Sequence, residues 1–289
     1  SPSTPYSQLV LAKQPSVYYR LNEPTWSDPG TYPTAQNLGS LGTTADGTFN
    51  PGVISGAGGV PFSGFEANNR AAQFNGCTGA VTVVAQPLST DTITITCWAK
   101  RWGQQNLPGL VMQRGGDGSS VSGLQLWDAS NNDLHGNWND GDWGLYSRLV
   151  PPDDTWVFTA MVVTPTNTVL YLDDQSVSLA DLNGSALTHT AHDFSIGNIT
   201  IGQDPCCGYR TLYGLIDEVA VFGQALTADQ LHSLFYAGNV PPTVLTQMPA
   251  TTNVAMGYPL ALCPIVSGSP TLKYQWTKNG TNIAGMTQS

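Results

Sequence analysis

The chain has 289 residues, with 10 Lys+Arg against 20 Asp+Glu, a formal charge of −10 and only 10% charged residues. That balance leaves no basic stripe to neutralise phosphates, which excludes nucleic-acid binding, and no apolar run reaches membrane-spanning length. With 31 Gly, 20 Pro and 40% apolar residues, the composition describes a turn-rich globular protein with a real core.

The opening Ser1-Pro2-Ser3-Thr4 has no Met and no charged-then-apolar leader, so the sequence predicts a processed or excised product. Apolar residues then recur with period two. Ile93-Thr94-Ile95-Thr96-Cys97-Trp98, Val157 to Val163 and Val169-Leu170-Tyr171-Leu172 all read as strands. Turn signals separate them at Gly116-Asp117-Gly118, Asp140-Gly141, Pro165-Thr166-Asn167, Asp173-Asp174-Gln175 and Asn183-Gly184. Short strands and frequent turns predict an antiparallel two-sheet sandwich or jelly roll. One helix stands out, from Thr227 to Tyr236. Thr227 caps it, Gln230 completes a capping box, Leu231, Leu234 and Phe235 share its apolar face, and Gly238 stops it. The Pro241-Pro242 pair that follows marks a domain boundary, giving units 1–239 and 240–289.

The stretch His135 to Arg148 is the most informative locally. A two-residue turn at Asp140-Gly141 would set Trp138 opposite Trp143 and Asn139 opposite Asp142. One face then carries Leu134, Trp138, Trp143, Leu145 and Leu149 and reads as core. The other carries His135, Asn137, Asn139, Asp142, Tyr146 and Arg148. Amides, carboxylates, guanidinium groups and an aromatic ring are the groups that read sugars, so His135, Asn137, Asp142, Tyr146 and Arg148 form the candidate carbohydrate-binding set. A solvated outer hairpin face is the plain alternative, and a one-residue slip would exchange the two faces.

The five cysteines are Cys77, Cys97, Cys206, Cys207 and Cys263, with no CxxC metal spacing. The first four allow two bridges in three ways, with buried free thiols as the alternative. Low Lys and high Thr, Asn and Gly content suit an extracellular protein. His189 and His192 have helical rather than loop spacing for a metal pair and read as polar loop residues.

Several words, taken in order, resemble a known family. They are Val17-Tyr18-Tyr19-Arg20-Leu21-Asn22-Glu23, Ala72-Gln73-Phe74-Asn75-Gly76, Ile93 to Lys100, Thr155 to Ala160, Leu170 to Asp174 and Gly214 to Phe222. The helix opening Ala225-Leu226-Thr227 closes the set. Across residues 6–238 the chain resembles bacterial laminin-G-like modules of the concanavalin-A type. The resemblance implies a jelly roll whose first and last strands are neighbours, commonly with calcium, used for glycan or protein binding in larger secreted proteins. On that likeness Glu23 and Asp217 are the candidate calcium ligands, supplying the hard oxygens the ion prefers.

Related sandwiches include laminarinase-type glycoside hydrolases, which need two carboxylates across a cleft. The three Glu are Glu23, Glu66 and Glu218, and none has a second acid at the alternate position of its strand. Asp217 and Glu218 are adjacent, so strand geometry points them to opposite faces. The tail from Pro241 resembles the start of a bacterial immunoglobulin-like module, carried by Ser267-Gly268, Leu272, Tyr274-Gln275-Trp276 and Lys278-Asn279-Gly280. About half such a domain is present, so the tail is expected to continue or to pair with another segment. Period two sets Cys263 opposite Leu260, Leu262, Pro264 and Val266, which predicts an unpaired thiol.

The expectation is an all-β, antiparallel two-sheet jelly-roll sandwich with one short C-terminal helix, plus a partial immunoglobulin-like β-sandwich. Its expected role is non-catalytic binding of a glycan or surface protein, outside the cell or on a bacterial surface. A polysaccharide hydrolase, and a filament or array subunit that self-associates through the tail, are the alternatives.

Overall fold

The computed structural model describes residues 4–26, 31–115, 121–206, 210–246 and most of 251–287, leaving out 255, 258–261, 263, 270, 271 and 273. The turn expected at 116–118, the tail residues Leu260 and Ala261, and Cys263 therefore lie outside the described residues.

The strands, in chain order, are β1 (Val17–Tyr19), β2 (Thr34–Ala35), β3 (Gly47–Phe49), β4 (Val53–Gly58), β5 (Arg70–Asn75), β6 (Val81–Val83), β7 (Ser89–Thr90), β8 (Ile93–Arg101) and β9 (Gly109–Gln113). There follow β10 (Ser122–Leu126), β11 (Leu134–Asn137), β12 (Val157–Thr164), β13 (Asn167–Leu172), β14 (Gln175–Ser178), β15 (His192–Asp193), β16 (Ile199–Ile201) and β17 (Tyr213–Phe222). One sheet runs β14-β13-β12-β8-β17-β5-β4, with β1 added against β17; the other runs β11-β10-β9-β16-β6-β3-β2. All pairings are antiparallel, as the period-two reading requires. Val17 pairs with Val221 and Tyr19 with Val219, so the first and last strands are neighbours.

Alternation explains the layers. Ile93, Ile95 and Cys97 of β8 join Val157, Met161, Leu170, Val81, Val83, Ile199 and Ile201 in the core between the sheets. The opposite face of β8 is buried too. Trp98 sits there in a second apolar cluster with Tyr6, Tyr18, Phe158, Phe222, Leu231, Leu234 and Phe235. Two helices cover that face: α1 (Pro5–Ala12) and, after the short α2 (Leu179–Asn183), α3 (Ala228–Ala237). Trp98 therefore meets five rings, those of Tyr6, Phe62, Phe65, Phe158 and Phe235, at centroid separations between 5.5 and 6.2 Å.

Helix α3 forms as its sequence dictates. Thr227 caps it, Gln230 closes the capping box, and Leu231, Leu234 and Phe235 are its buried residues. Thr94 fixes the entry, donating to the Gln224 carbonyl (2.8 Å) and accepting from the Leu226 amide (2.9 Å). Helix α1 was not anticipated, although Thr4 caps it and Pro5 stands at its first turn, the usual start signal. Gly184, read as part of a turn, is the left-handed C-cap of α2.

Among the thiols, Cys97 is buried and free, Cys77 is exposed and free, and Cys206 is in a disulfide. In the tail, β18 (Thr243–Thr246) pairs with β19 (Ile265–Ser267), and β20 (Thr277–Lys278) with β21 (Thr281–Asn282) across the turn at Asn279-Gly280. Val244, Ile265 and Met286 there are exposed. Val240 packs on the cluster around Trp98, and its amide donates to Ser269 Oγ at 2.8 Å.

Candidate functional site

The acidic pair comes first, because the sequence set its members on opposite faces. Strand β17 carries a bulge where it pairs with β8. Asp217 faces Trp98 and Ala220 faces Thr96, so Glu218 and Val219 together oppose Cys97. Glu218 takes a left-handed φ of 53° at this bulge. The extra residue breaks the alternation and turns Glu218 to the side of Asp217, correcting the opposite-face reading. Tyr18 donates to Glu218 Oε2, Arg20 Nε donates to Oε1 at 3.1 Å, and Arg20 also grips Glu66 with both terminal nitrogens. Asp217 Oδ2 accepts from the Val60 amide (3.0 Å) and from Asn69 Nδ2 (2.7 Å).

Burial dominates both carboxyls. It raises Glu218 to about 7 against the pull of Arg20 and Tyr18, and it raises Asp217 well above the usual range, helped by its charged neighbour. A raised carboxyl is what a general acid needs, but a general acid must also touch the bond it protonates. Both side chains are 0% exposed. Their arrangement clamps β1, the 58–69 segment and β17 together.

The candidate calcium ligands serve separate networks. Glu23 Oε1 accepts from the Gln36 amide at 3.2 Å, whereas Asp217 meets Val60 and Asn69. Calcium takes six to eight oxygens. Among the described residues no group of three or more His, Cys, Asp or Glu gathers around either carboxylate.

The 135–148 stretch differs from its predicted register. Gly141 N donates to the Trp138 carbonyl (2.8 Å) and Trp138 bridges Gly141, so the central turn residues are Asn139 and Asp140, with φ 48° and 61°. The turn comes one residue early, and the Trp138–Trp143 pair does not form. Leu134, Trp138 and Leu149 do enter the core between the sheets, with Leu145 packed against it. Trp143 goes to the other face. Its ring lies 5.8 Å from Trp127 and 5.7 Å from His135, and Trp127 lies 4.2 Å from His135 and 5.4 Å from Tyr146.

The five candidate sugar-binding residues fare differently on that face. Tyr146 is 44% exposed and Arg148 is exposed. Both line a pocket of about 470 Å³ with Ser130, Asn131, Asp133 and Val150. His135 and Asn137 point to the same outer face but are fully buried, His135 beside Trp127. Burial pushes His135 down to about 4, against weak opposing pulls from Asn137 and Asp142. Asp142 turns away. Its Oδ2 meets His189 Nε2 at 3.1 Å and Thr168 Oγ1 at 3.4 Å.

Unpartnered polar atoms concentrate here. Both ring nitrogens of His135, both amide atoms of Asn137 and of Gln125, Trp127 Nε1 and Asp133 Oδ1 are buried without a hydrogen bond. Each such atom costs about 1–3 kcal/mol when left unsatisfied. Asp133 Oδ2, by contrast, is held by the Arg148 amide at 2.9 Å, while Oδ1 is buried without a partner.

Comparison with known proteins now decides the family. Residues 74–232 match the laminin-G-like family model of the concanavalin A-like lectin/glucanases superfamily, more than half of the chain. The chain belongs to this superfamily. Among solved structures, the Trypanosoma rangeli sialidase in complex with sialic acid aligns with 76% of this chain and 32% of its own, at 14% identity and a TM-score of 0.51. A mutant of that sialidase displaying trans-sialidase activity aligns over 81% and 35%, at 13% identity and 0.52. Domain 4 of AbnA, a GH43 extracellular arabinanase from Geobacillus stearothermophilus, in complex with arabinotriose, aligns over 76% and 98%, at 19% identity and 0.49. The chain spans about a third of the sialidases' length, and at these identities the likeness shows the fold alone. No match is found among curated proteins.

Within this superfamily member, the sequence reading missed Gln125, Trp127, Asp133 and Trp143. Parity held the signal for Asp133, which shares the outward phase of His135 and Asn137 on β11. Gln125 opposite His135, and Trp127 two residues beyond it, extend that phase onto the neighbouring strand. His189 and His192, read as polar loop residues, are buried and engaged, His189 by the Thr164 carbonyl and Asp142. No described helix is long and apolar enough to cross a membrane.

Proposed function

We propose that this chain is a non-catalytic carbohydrate-binding module of a secreted or cell-surface protein, binding a glycan at the outer face of β10 and β11. The observation that carries the reading is the pocket in which the exposed Tyr146 ring, braced edge-on by Trp127, stands beside the exposed Arg148 and Asn131. A ring that stacks on sugar C–H bonds, with an amide and a forked donor at its side, is the usual equipment of a saccharide site. In this proposal Tyr146 and Arg148 touch the glycan, and Asp133 holds the Arg148 backbone. His135 and Asn137 form the polar floor behind Trp127, and Asp142 orders the hairpin through His189.

The test is a glycan array followed by titration calorimetry. Tyr146→Ala and Arg148→Ala should each weaken binding about tenfold or more. A wild-type chain that binds no glycan, or a Tyr146→Ala chain that binds as well as wild type, overturns the proposal. The hydrolase alternative would require Glu218 to reach substrate, and reducing-sugar release lost in Glu218→Gln would establish it. Self-association through an immunoglobulin-like tail is a companion proposal, supported by the exposed Val244, Ile265 and Met286. Sedimentation that does not change when Ile265 and Met286 become Ser removes it.

A further inference from the structure

A second concave site lies where β5 and β8 end and β17 begins. It holds about 320 Å³ and is lined by Asn75, Gly76, Trp102, Gln104, Gln105, Asn106, Thr211 and Tyr213. Tyr213 is 49% exposed, and its ring meets Trp102 at 5.1 Å and 67°, so the two rings form an open corner. We infer that this corner is a saccharide site separate from the Tyr146 pocket and selective for neutral sugars, with Trp102 and Tyr213 as stacking platforms and Gln104 and Asn106 as the amides that read hydroxyls.

The corner is held rigidly. Trp102 Nε1 donates to Asp154 Oδ1 at 2.8 Å, and the Trp102 amide donates to the Tyr213 carbonyl at 2.9 Å. Gln105 clasps Tyr213 at both ends: its Oε1 accepts from the Tyr213 amide (2.6 Å) and its Nε2 donates to the Tyr213 carbonyl (2.8 Å). Gln105 is fixed in turn by the buried Asn132, whose Oδ1 accepts from the Gln105 amide at 2.8 Å and whose Nδ2 donates to the Gln105 carbonyl. Two amide clasps in series hold the backbone from which the exposed tyrosine projects, and Trp102 packs edge-on against its ring. Preorganised rings lose little freedom on binding, which is what a weak-contact ligand such as a sugar requires.

Selectivity follows from the lining. No charged side chain lines the pocket. The nearest cations are engaged, Lys100 with Asp154 and Arg101 with the Pro151 and Gly103 carbonyls. A uronate or sialate would therefore be desolvated without a counter-charge. The exposed Gln104 and Asn106 side chains make no hydrogen bond among the described residues and stand free at the rim.

The experiment is an NMR titration of the isotope-labelled full chain. The probes are cellohexaose, xylohexaose, arabinohexaose, mannohexaose and chitohexaose, with hexagalacturonate as the charged control, each at about 5 mM to fill a site of millimolar affinity. At least one neutral hexasaccharide should shift the Trp102 Nε1–H and the Gln104 and Asn106 side-chain amides, and hexagalacturonate should not. Tyr213→Ala, and separately Gln104→Ala with Asn106→Ala, should weaken that ligand about tenfold while the Tyr146 region keeps its response. Failure of every neutral probe to move these signals overturns the inference, as does unchanged affinity in both variants. A Tyr146→Ala chain decides the other site independently.

Discussion

Replacing Glu218 by Gln isolates the buried acid clamp. Burial raises this carboxyl from 4.5 to about 7 in the folded chain. Between those values the folded state holds a proton that the unfolded state has released, so stability falls as pH rises from 4.5 to 7. A shift of that size corresponds to about 3 kcal/mol across the window. Gln cannot ionise and keeps a donor and an acceptor for Tyr18 and Arg20. The difference in unfolding free energy between the two proteins, measured by urea titration at a series of pH values, should therefore drift by about 3 kcal/mol in favour of Gln as the pH rises. Groups that do not sense Glu218 titrate alike in both chains and drop out of the difference; Asp217, raised in part by the Glu218 charge, adds to the drift in the same direction. Parallel curves from pH 4.5 to 7.5 would show that Glu218 ionises freely and that the clamp is not under desolvation strain.

The companion residue Arg20 is the cation of the same clamp. Arg20→Met leaves Glu218 and Glu66 without it and should lower stability by about 3–5 kcal/mol at neutral pH, read as a drop in the urea midpoint. His135 should stay neutral down to about pH 4, while Asp142 and the Thr164 carbonyl outweigh burial to hold His189 above the ordinary histidine value; imidazole NMR titrations distinguish the two. Because His135 resists protonation only when folded, its contribution to stability is lost as pH falls from 6.5 towards 4. Gly202 has a φ of 83°, and a Cβ there would fall 2.1 Å from the Phe74 ring, so Gly202→Ala should destabilise by about 3 kcal/mol in thermal unfolding. Thr227→Ala removes one half of the α3 capping box, the bond from the Gln230 amide to Thr227 Oγ1, and should cost about 1 kcal/mol by the same measurement.

Period two made the sandwich legible, because each half-buried strand must alternate, and the capping box at Thr227 made α3 legible residue by residue. Alternation cannot see a bulge. Glu218 sits in a run of residues that reads as an unbroken strand, and only pairing with β8 reveals the extra residue that turns it beside Asp217. The hairpin at 139–140 was misplaced for a related reason. Asp140-Gly141 is the stronger turn signal in sequence, yet Asn139 and Asp140 tolerate positive φ and Gly141 closes the bridge to Trp138. That shift sent Trp143 out to Trp127 and left Asp142 facing His189. Arg148 and Tyr146 were placed correctly because their phase follows Leu149, which the core fixes. The stacking corner at Trp102 and Tyr213 joins residues over a hundred positions apart, and no local pattern announces it.

The pairing of β1 with β17 sets the order of events at the ribosome. Tyr18 meets Glu218 across 200 residues of chain, so the entry strand has only the 37–38 segment to pair with until nearly the whole sandwich has been synthesised. Long-range closure of this kind makes folding slow, and it leaves a sticky edge open on the nascent chain for the tens of seconds that translation takes.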